Sequence, residues 1–66
     1  MSEAEWREFY QRKVEAMIAA GNAYLAAGGT DEGELEKAIA GAWPDCSGAA
    51  YQQARVRVGK IGRGGQ

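Results

Sequence analysis

A helical period that runs unbroken through the first 25 residues restricts the fold of this chain more than any other feature. Apolar side chains recur there at steps of three and four residues, namely Trp6, Phe9, Tyr10, Val14, Met17, Ile18, Tyr24 and Leu25. Ser2 followed by Glu5 is a capping-box pattern, and Gly28 is of the type that commonly ends a helix. The pattern predicts one helix of about 25 residues and ~38 Å. Gly21 and Asn22 are the points where it would kink or fray.

A second, shorter helix is predicted after Gly28, the residue expected to end the first helix. Thr30 or Asp31 can cap it, because both side chains accept hydrogen bonds from a helix N-terminus. Its apolar positions follow one helical face, which comprises Leu35, Ala38, Ile39, Ala42 and Trp43. Pro44 disfavours helical geometry in the residue before it, so "WPDCS" is predicted to be a tight connection.

The last third of the chain fits two kinds of secondary structure. Ser47 or Asp45 can cap a third helix over 47 to about 58. Its inward stripe would comprise Tyr51, Ala54, Val58 and Ile61. The segment "RVRVGKI" also alternates between polar and apolar residues, so a short strand over 55–61 is the alternative. We expect the helix, because a lone strand would lack a partner unless two copies paired.

These elements predict an all-α fold, a small three-helix domain with a long N-terminal helix. We expect one domain over 1–62 and a flexible tail over 63–66, because "RGGQ" offers nothing to pack. A chain this short buries only about 60% of the surface that its unfolded form exposes, so dimerisation would stabilise it. Two shorter helices cannot cover the whole of the first. We therefore expect a homodimer through helix 1, or another protein, to cover the remainder.

Composition argues against catalysis, metal binding and membrane insertion. The chain has no histidine, one cysteine (Cys46) and no Gly-rich phosphate loop, so we expect neither an enzyme nor a cofactor or metal site. The N-terminus carries acids and aromatic residues where a secretory signal needs a basic start and an apolar run. No stretch approaches the ~20 apolar residues of a membrane span. With its single cysteine, the chain is expected to be cytoplasmic.

Charge is divided unevenly along the chain. Residues 1–45 hold all nine carboxylates and four basic side chains, a net charge of −5, whereas residues 46–66 hold four basic side chains and no carboxylate, +4. A basic element at one end of a chain is typical of proteins that contact the phosphates of nucleic acids. The same residues would also complement the negative end of helix 3, and both interpretations stay open.

The segment "LEKAIAGAWPDCSGAAYQQARVRVGKIGR", with a cap at about residue 31, resembles the helix-turn-helix unit of DNA-binding proteins over 31–63. Pro44 and the bulky Trp43 stand where such units usually have a small residue. The resemblance implies a small regulator whose partner is double-stranded DNA. Its DNA-contacting residues would be Gln52 and Gln53 on adenine, Arg55 and Arg57 on guanine, and Lys60 and Arg63 on phosphates.

A second hypothesis makes the chain a small protein-binding inhibitor or adaptor, of the kind that phages encode against host enzymes. Its binding surface would be the acidic and aromatic side of helices 1 and 2, comprising Trp6, Phe9, Tyr10, Glu3, Glu8, Glu15, Glu32 and Glu36. Trp6 and Trp43 would otherwise serve as core anchors, the usual role of tryptophan in a three-helix domain. Of the two functions, the sequence favours DNA binding.

Overall fold

A computed structural model describes residues 2–59, which form three α-helices joined by short connections. The helices are α1 (Glu3–Ala26), α2 (Glu32–Gly41) and α3 (Gly48–Arg57). The all-α prediction and the long first helix are confirmed. The strand alternative over 55–61 is wrong for 55–57, which are helical because the cap at Ser47 starts a helix that continues to Arg57. The remainder of that stretch from Lys60 onward, with the predicted tail, lies outside the described residues.

Each helix begins at a side chain that accepts a hydrogen bond from its first turn. Ser2 Oγ accepts from the Glu5 N–H at 3.2 Å, and Glu5 Oε1 accepts from the Ser2 N–H at 3.0 Å, so the capping box is present. Asp31, rather than Thr30, caps α2. Ser47, rather than Asp45, caps α3. Gly28 adopts φ +92° just after α1, a conformation that favours glycine.

The helices form an up-down-up bundle. The Tyr24 hydroxyl, near the end of α1, contacts Asp31 at the start of α2. Trp43, just after α2, packs edge-on against Tyr10 near the start of α1. These contacts make α2 antiparallel to α1. The Gly59 N–H, just after α3, donates to Asn22 Oδ1 at 3.3 Å, so α3 runs parallel to α1.

The core is small and lies where α2 and α3 pack on the middle of α1. Its buried apolar side chains are Val14, Met17, Leu35, Ile39, Ala50, Ala54 and Val58. Ala50 and Ala54 let α3 approach closely because they have no side chain beyond Cβ. The predicted stripe of α3 contained Ala54 and Val58 but missed Ala50, and it placed Tyr51 inside, where the structure leaves it half-buried.

Gly21 lies inside an unbroken helix, so the expected kink is wrong. It is buried, and an ideal Cβ built there would stand 2.8 Å from Val58 Cγ2 and 2.9 Å from Ile39 Cγ1. Both distances are shorter than an ordinary van der Waals contact. The glycine is therefore the point of closest approach among the three helices, and its packing outweighs its poor helix propensity.

Helix α1 is much longer than the two helices that pack on it. Its 24 residues span about 36 Å, whereas the ten residues each of α2 and α3 span about 15 Å. Its first two turns therefore extend past the end of α2. None of the helices described between residues 2 and 59 is long and apolar enough to cross a membrane.

Candidate functional site

Four aromatic rings meet where α1 extends past α2, and we call Trp6, Phe9, Tyr10 and Trp43 the aromatic patch. Trp6 and Phe9 stack at 5.6 Å between ring centroids with an interplanar angle of 30°. Trp43 meets Phe9 edge-on at 5.9 Å and Tyr10 edge-on at 5.7 Å. Trp6 is 47% exposed, although it contacts two other rings.

The aromatic patch combines a local pattern with one distant residue. Positions 6, 9 and 10 share a face of α1 because they are three and four residues apart. Trp43 comes from the connection after α2, and no local pattern predicts that it would join them. Of the two expectations for Trp6, a core anchor or an exposed contact residue, its exposure fits the second, because α2 ends before it can cover that ring. Trp43 is half-buried and packs against the core.

Oppositely charged side chains pair along the exposed surface of α1. Arg7 donates to Glu3 at 3.1 Å, and Arg12 lies 4.0 Å from Glu8. These pairs are exposed, and such pairs contribute little to stability. Glu15, the third acid predicted on this surface, accepts from Gln11 at 3.4 Å.

Lys13 adds a cation to the edge of the aromatic patch. Its Nζ stands 5.5 Å from the centre of the Phe9 ring, within the range of a cation–π contact. Sequence reasoning missed this residue. The four-residue spacing from Phe9 to Lys13 was a signal that could have identified it.

The outer face of α3 is uncharged at its centre. Gln52, Gln53 and Val56 are exposed there, and Val56 is 76% exposed. Arg57 is also exposed, at the edge of the face nearest α1. Helix α3 contains no carboxylate. Its predicted DNA-contacting residues thus include three side chains that are free to meet a partner, one of them charged.

An open groove runs between α1 and this edge of α3, with a volume of about 310 Å³. Its lining residues are Arg7, Tyr10, Gln11, Val14, Gln53 and Arg57. The groove brings Gln53 and Arg57 together with a second arginine and a second amide from α1. Sequence reasoning missed Arg7 and Gln11, because the packing of α1 beside α3 is set by contacts far apart in the chain.

The other basic residues of the predicted DNA surface are placed differently. The Arg55 guanidinium donates to Glu32 Oε2 at 2.5 Å, and its side chain is 25% exposed. The pair connects the last turn of α3 to the first turn of α2. Lys60 and Arg63 lie outside the described residues. Arg55 is therefore held in an ion pair between α3 and α2, and its guanidinium is not free on the outer face of α3.

The ion pair between Glu32 and Arg55 also constrains how α2 and α3 lie relative to each other. The end of α2 and the start of α3 are joined by a short connection, while Glu32 and Arg55 hold the opposite ends together. The ion pair thus brings the first turn of α2 close to the last turn of α3.

Other polar groups of the described residues lie outside the aromatic patch. The Tyr51 hydroxyl is buried and has no hydrogen-bond partner among residues 2–59. Burial, followed by the nearby Glu36 carboxylate, raises its pKa above 10.0. Cys46 is a free, half-buried thiol. Within the same part of the chain, no three His, Cys, Asp or Glu side chains are grouped so that they could hold a metal ion.

In comparisons with known proteins, no family model, curated protein or solved structure gave a significant match to this chain.

Proposed function

We propose that this protein is a non-enzymatic protein-binding domain, an adaptor or inhibitor, whose binding surface is the aromatic patch. The observation that carries the proposal is the 47% exposure of Trp6 within a cluster of four rings. Tryptophan is among the residues that most often dominate binding energy at protein interfaces. A ring left this exposed in such a small domain is available for that role.

The energy available at Trp6 is sufficient for an interface anchor. A tryptophan side chain buries roughly 150–250 Å² when fully covered, so its exposed half offers on the order of 100 Å². At about 25 cal/mol per Å², covering it contributes about 2–3 kcal/mol. This is the size of effect that defines a binding hot spot.

The aromatic patch is also preorganised. Trp6 stacks on Phe9, and Phe9 is held edge-on by Trp43, so the exposed ring has neighbours that restrict its rotamers before any partner arrives. A side chain ordered in advance loses less entropy on binding. Lys13, beside the Phe9 ring, supplies a charged group at the edge of the apolar patch, as in the polar rim that usually borders an interface.

Two alanine variants test the proposal because the chain offers a matched control. Trp6 and Val56 are its two exposed large apolar residues in the described region, one on α1 and one on the outer face of α3. We expect the partner recovered with the tagged wild-type protein from its source cells to be lost with Trp6→Ala and retained with Val56→Ala. Loss with Val56→Ala alone would place the binding surface on α3 and reject the aromatic patch.

DNA binding through α3 is the second candidate, and one observation favours it. Gln52, Gln53 and Arg57 are exposed on a helix without carboxylates, and Arg7 lies across the groove from Arg57. In this proposal the glutamines contact base edges, while the two arginines contact phosphates. The helix-turn-helix resemblance is a further reason to test it.

Titration into labelled duplex DNA tests this candidate. If the protein binds DNA, its affinity for the duplex, measured by fluorescence anisotropy at two salt concentrations, should fall steeply as the salt concentration rises. The reason is that phosphate contacts release counterions. Arg57→Ala should weaken it at every sequence, whereas Lys37→Ala, an exposed base on α2, should not. Absence of binding at low salt would reject DNA as the partner.

A further inference from the structure

We infer that the partner covering the aromatic patch is a second copy of this chain, with the two α1 helices antiparallel and crossing at Phe9. The inference rests on the proposed function, because it names the partner of the same surface. It makes the protein a symmetric dimer in which each copy contributes Trp6, Phe9 and the charges beside them.

The first ground is the order of charges along α1. On the N-terminal side of Phe9 the helix carries three acids and one base, a net charge of −2, and from there to Ala16 it carries two bases and one acid, a net charge of +1; these residues are Glu3, Glu5, Glu8, Arg7, Arg12, Lys13 and Glu15. A helix that is negative before a point and positive after it is complementary to an antiparallel copy of itself. A parallel copy would set like charges together, which is unfavourable.

The second ground is the position of the pair that would meet. Glu5 and Lys13 each lie four residues from Phe9, one on either side, so all three occupy one side of α1. In an antiparallel pair that crosses at Phe9, Glu5 of each copy comes level with Lys13 of the other. A twofold interface requires such self-complementarity, because the same surface is used by both copies.

The third ground is that this side of α1 is open to a close neighbour. Val14, Met17 and Gly21 face the bundle and are buried, whereas Ala16 is exposed and lies on the side of Glu5 and Phe9. A small side chain there lets a second helix approach. The aromatic patch is thus continuous with a helix surface that α2 and α3 leave uncovered.

The size of this contact sets the expected strength of the dimer. The stretch from Ser2 to Ala16 is 15 residues, about 22 Å of helix. One helix face of that length covers less than the ~800 Å² per partner of a standard stable interface. We therefore expect a weak, reversible dimer whose population depends on protein concentration.

Sedimentation velocity on the full chain, over a wide series of protein concentrations, tests the inference. The wild type should pass from monomer to dimer, and Trp6→Ala should remain monomeric. Lys13→Glu should weaken dimerisation about tenfold, and Glu5→Lys with Lys13→Glu should restore it, because the swapped charges are again opposite. Lys37→Glu, a charge reversal on α2, is the control and should dimerise like the wild type.

Circular dichroism of each variant shows that it is folded, which matters because Glu5→Lys also removes a capping-box contact. A monomeric wild type at every concentration would overturn the inference but leave the proposed function standing if Trp6→Ala still loses a different protein partner. A dimer that the double charge swap fails to restore would overturn the antiparallel arrangement. A dimer unaffected by Trp6→Ala would overturn the inference that the aromatic patch forms the dimer interface.

Discussion

At Gly21, a single hydrogen atom in place of a methyl group lets three helices meet. Gly21→Ala would bring Cβ to 2.8 Å from Val58 and 2.9 Å from Ile39. Overpacking of this kind costs about 1–3 kcal/mol, and the better helix propensity of alanine offsets about 1 kcal/mol. We expect a net loss of about 1 kcal/mol in the free energy of unfolding, measured by urea denaturation.

Gly41→Ala is the matched control. Gly41 is the last residue of α2, and a Cβ built there would have nothing within 4 Å. Alanine there should be neutral or stabilise the protein by up to about 1 kcal/mol. If both variants behaved alike, the close approach at Gly21 would not be what determines its residue type.

Two tyrosines should respond in opposite ways to loss of their hydroxyl. Tyr24 Oη accepts from the Asp31 N–H at 2.8 Å and donates to the Asp31 carbonyl at 3.1 Å, so Tyr24→Phe should cost about 1 kcal/mol. The Tyr51 hydroxyl is buried without a partner among residues 2–59. Tyr51→Phe should therefore be neutral or stabilising. Thermal unfolding of both variants measures the difference, and equal destabilisation would contradict it.

Tyr51 also predicts a dependence of stability on pH. Burial, and then Glu36, raise its pKa above 10.0. Between pH 10.0 and the raised value, the unfolded chain loses this proton while the folded chain keeps it, so stability must fall as the pH rises through that window. We expect Tyr51→Phe to lose less stability than the wild type above pH 10.0, as measured by urea denaturation at a series of pH values. An identical fall in both proteins would contradict the assignment.

Local features at this scale were predictable, and contacts between distant residues were not. Ser2, Asp31 and Ser47 were recognised as candidate caps because capping depends on residues within three positions. The exposure of Trp6 was not settled by its spacing, because that depends on where α2 ends. The pairing of Arg55 with Glu32, 23 residues away, had no local signal either.

At the scale of elements, the Glu32–Arg55 pair holds the free ends of α2 and α3 together. Glu32→Gln should lower the free energy of unfolding by up to about 1 kcal/mol, because the partially exposed pair is screened by water. It would also free Arg55. If α3 binds DNA through that arginine, Glu32→Gln should tighten binding to duplex DNA, measured by anisotropy; unchanged affinity would exclude Arg55 from the DNA contact.

The three helices were predictable as elements because periodicity, caps and the glycine stop are all encoded locally. Their arrangement was not, because it depends on Gly21, Ala50 and Ala54 permitting close approach. The helix-turn-helix resemblance was drawn from composition over two helices and a turn. The contact between Glu32 and Arg55, 23 residues apart, is a tertiary property that such a pattern does not specify.

At the scale of the whole molecule, the mismatch between a 24-residue helix and two ten-residue helices connects fold to function. The short helices bury the middle of α1 and leave its first turns outside the core. Trp6 is exposed there beside Phe9 and Trp43, instead of completing a core. A chain this small gains stability from any partner that covers this surface.

The most direct test of the central claim is a dilution series followed by amide and indole NMR signals at each residue. As the concentration rises, we predict shifts for residues 3–13 and for the Trp6 and Trp43 indole N–H groups, with those of 48–57 unchanged. Shifts confined to 48–57, or no shifts at any concentration, would contradict the claim that a second copy covers the aromatic patch.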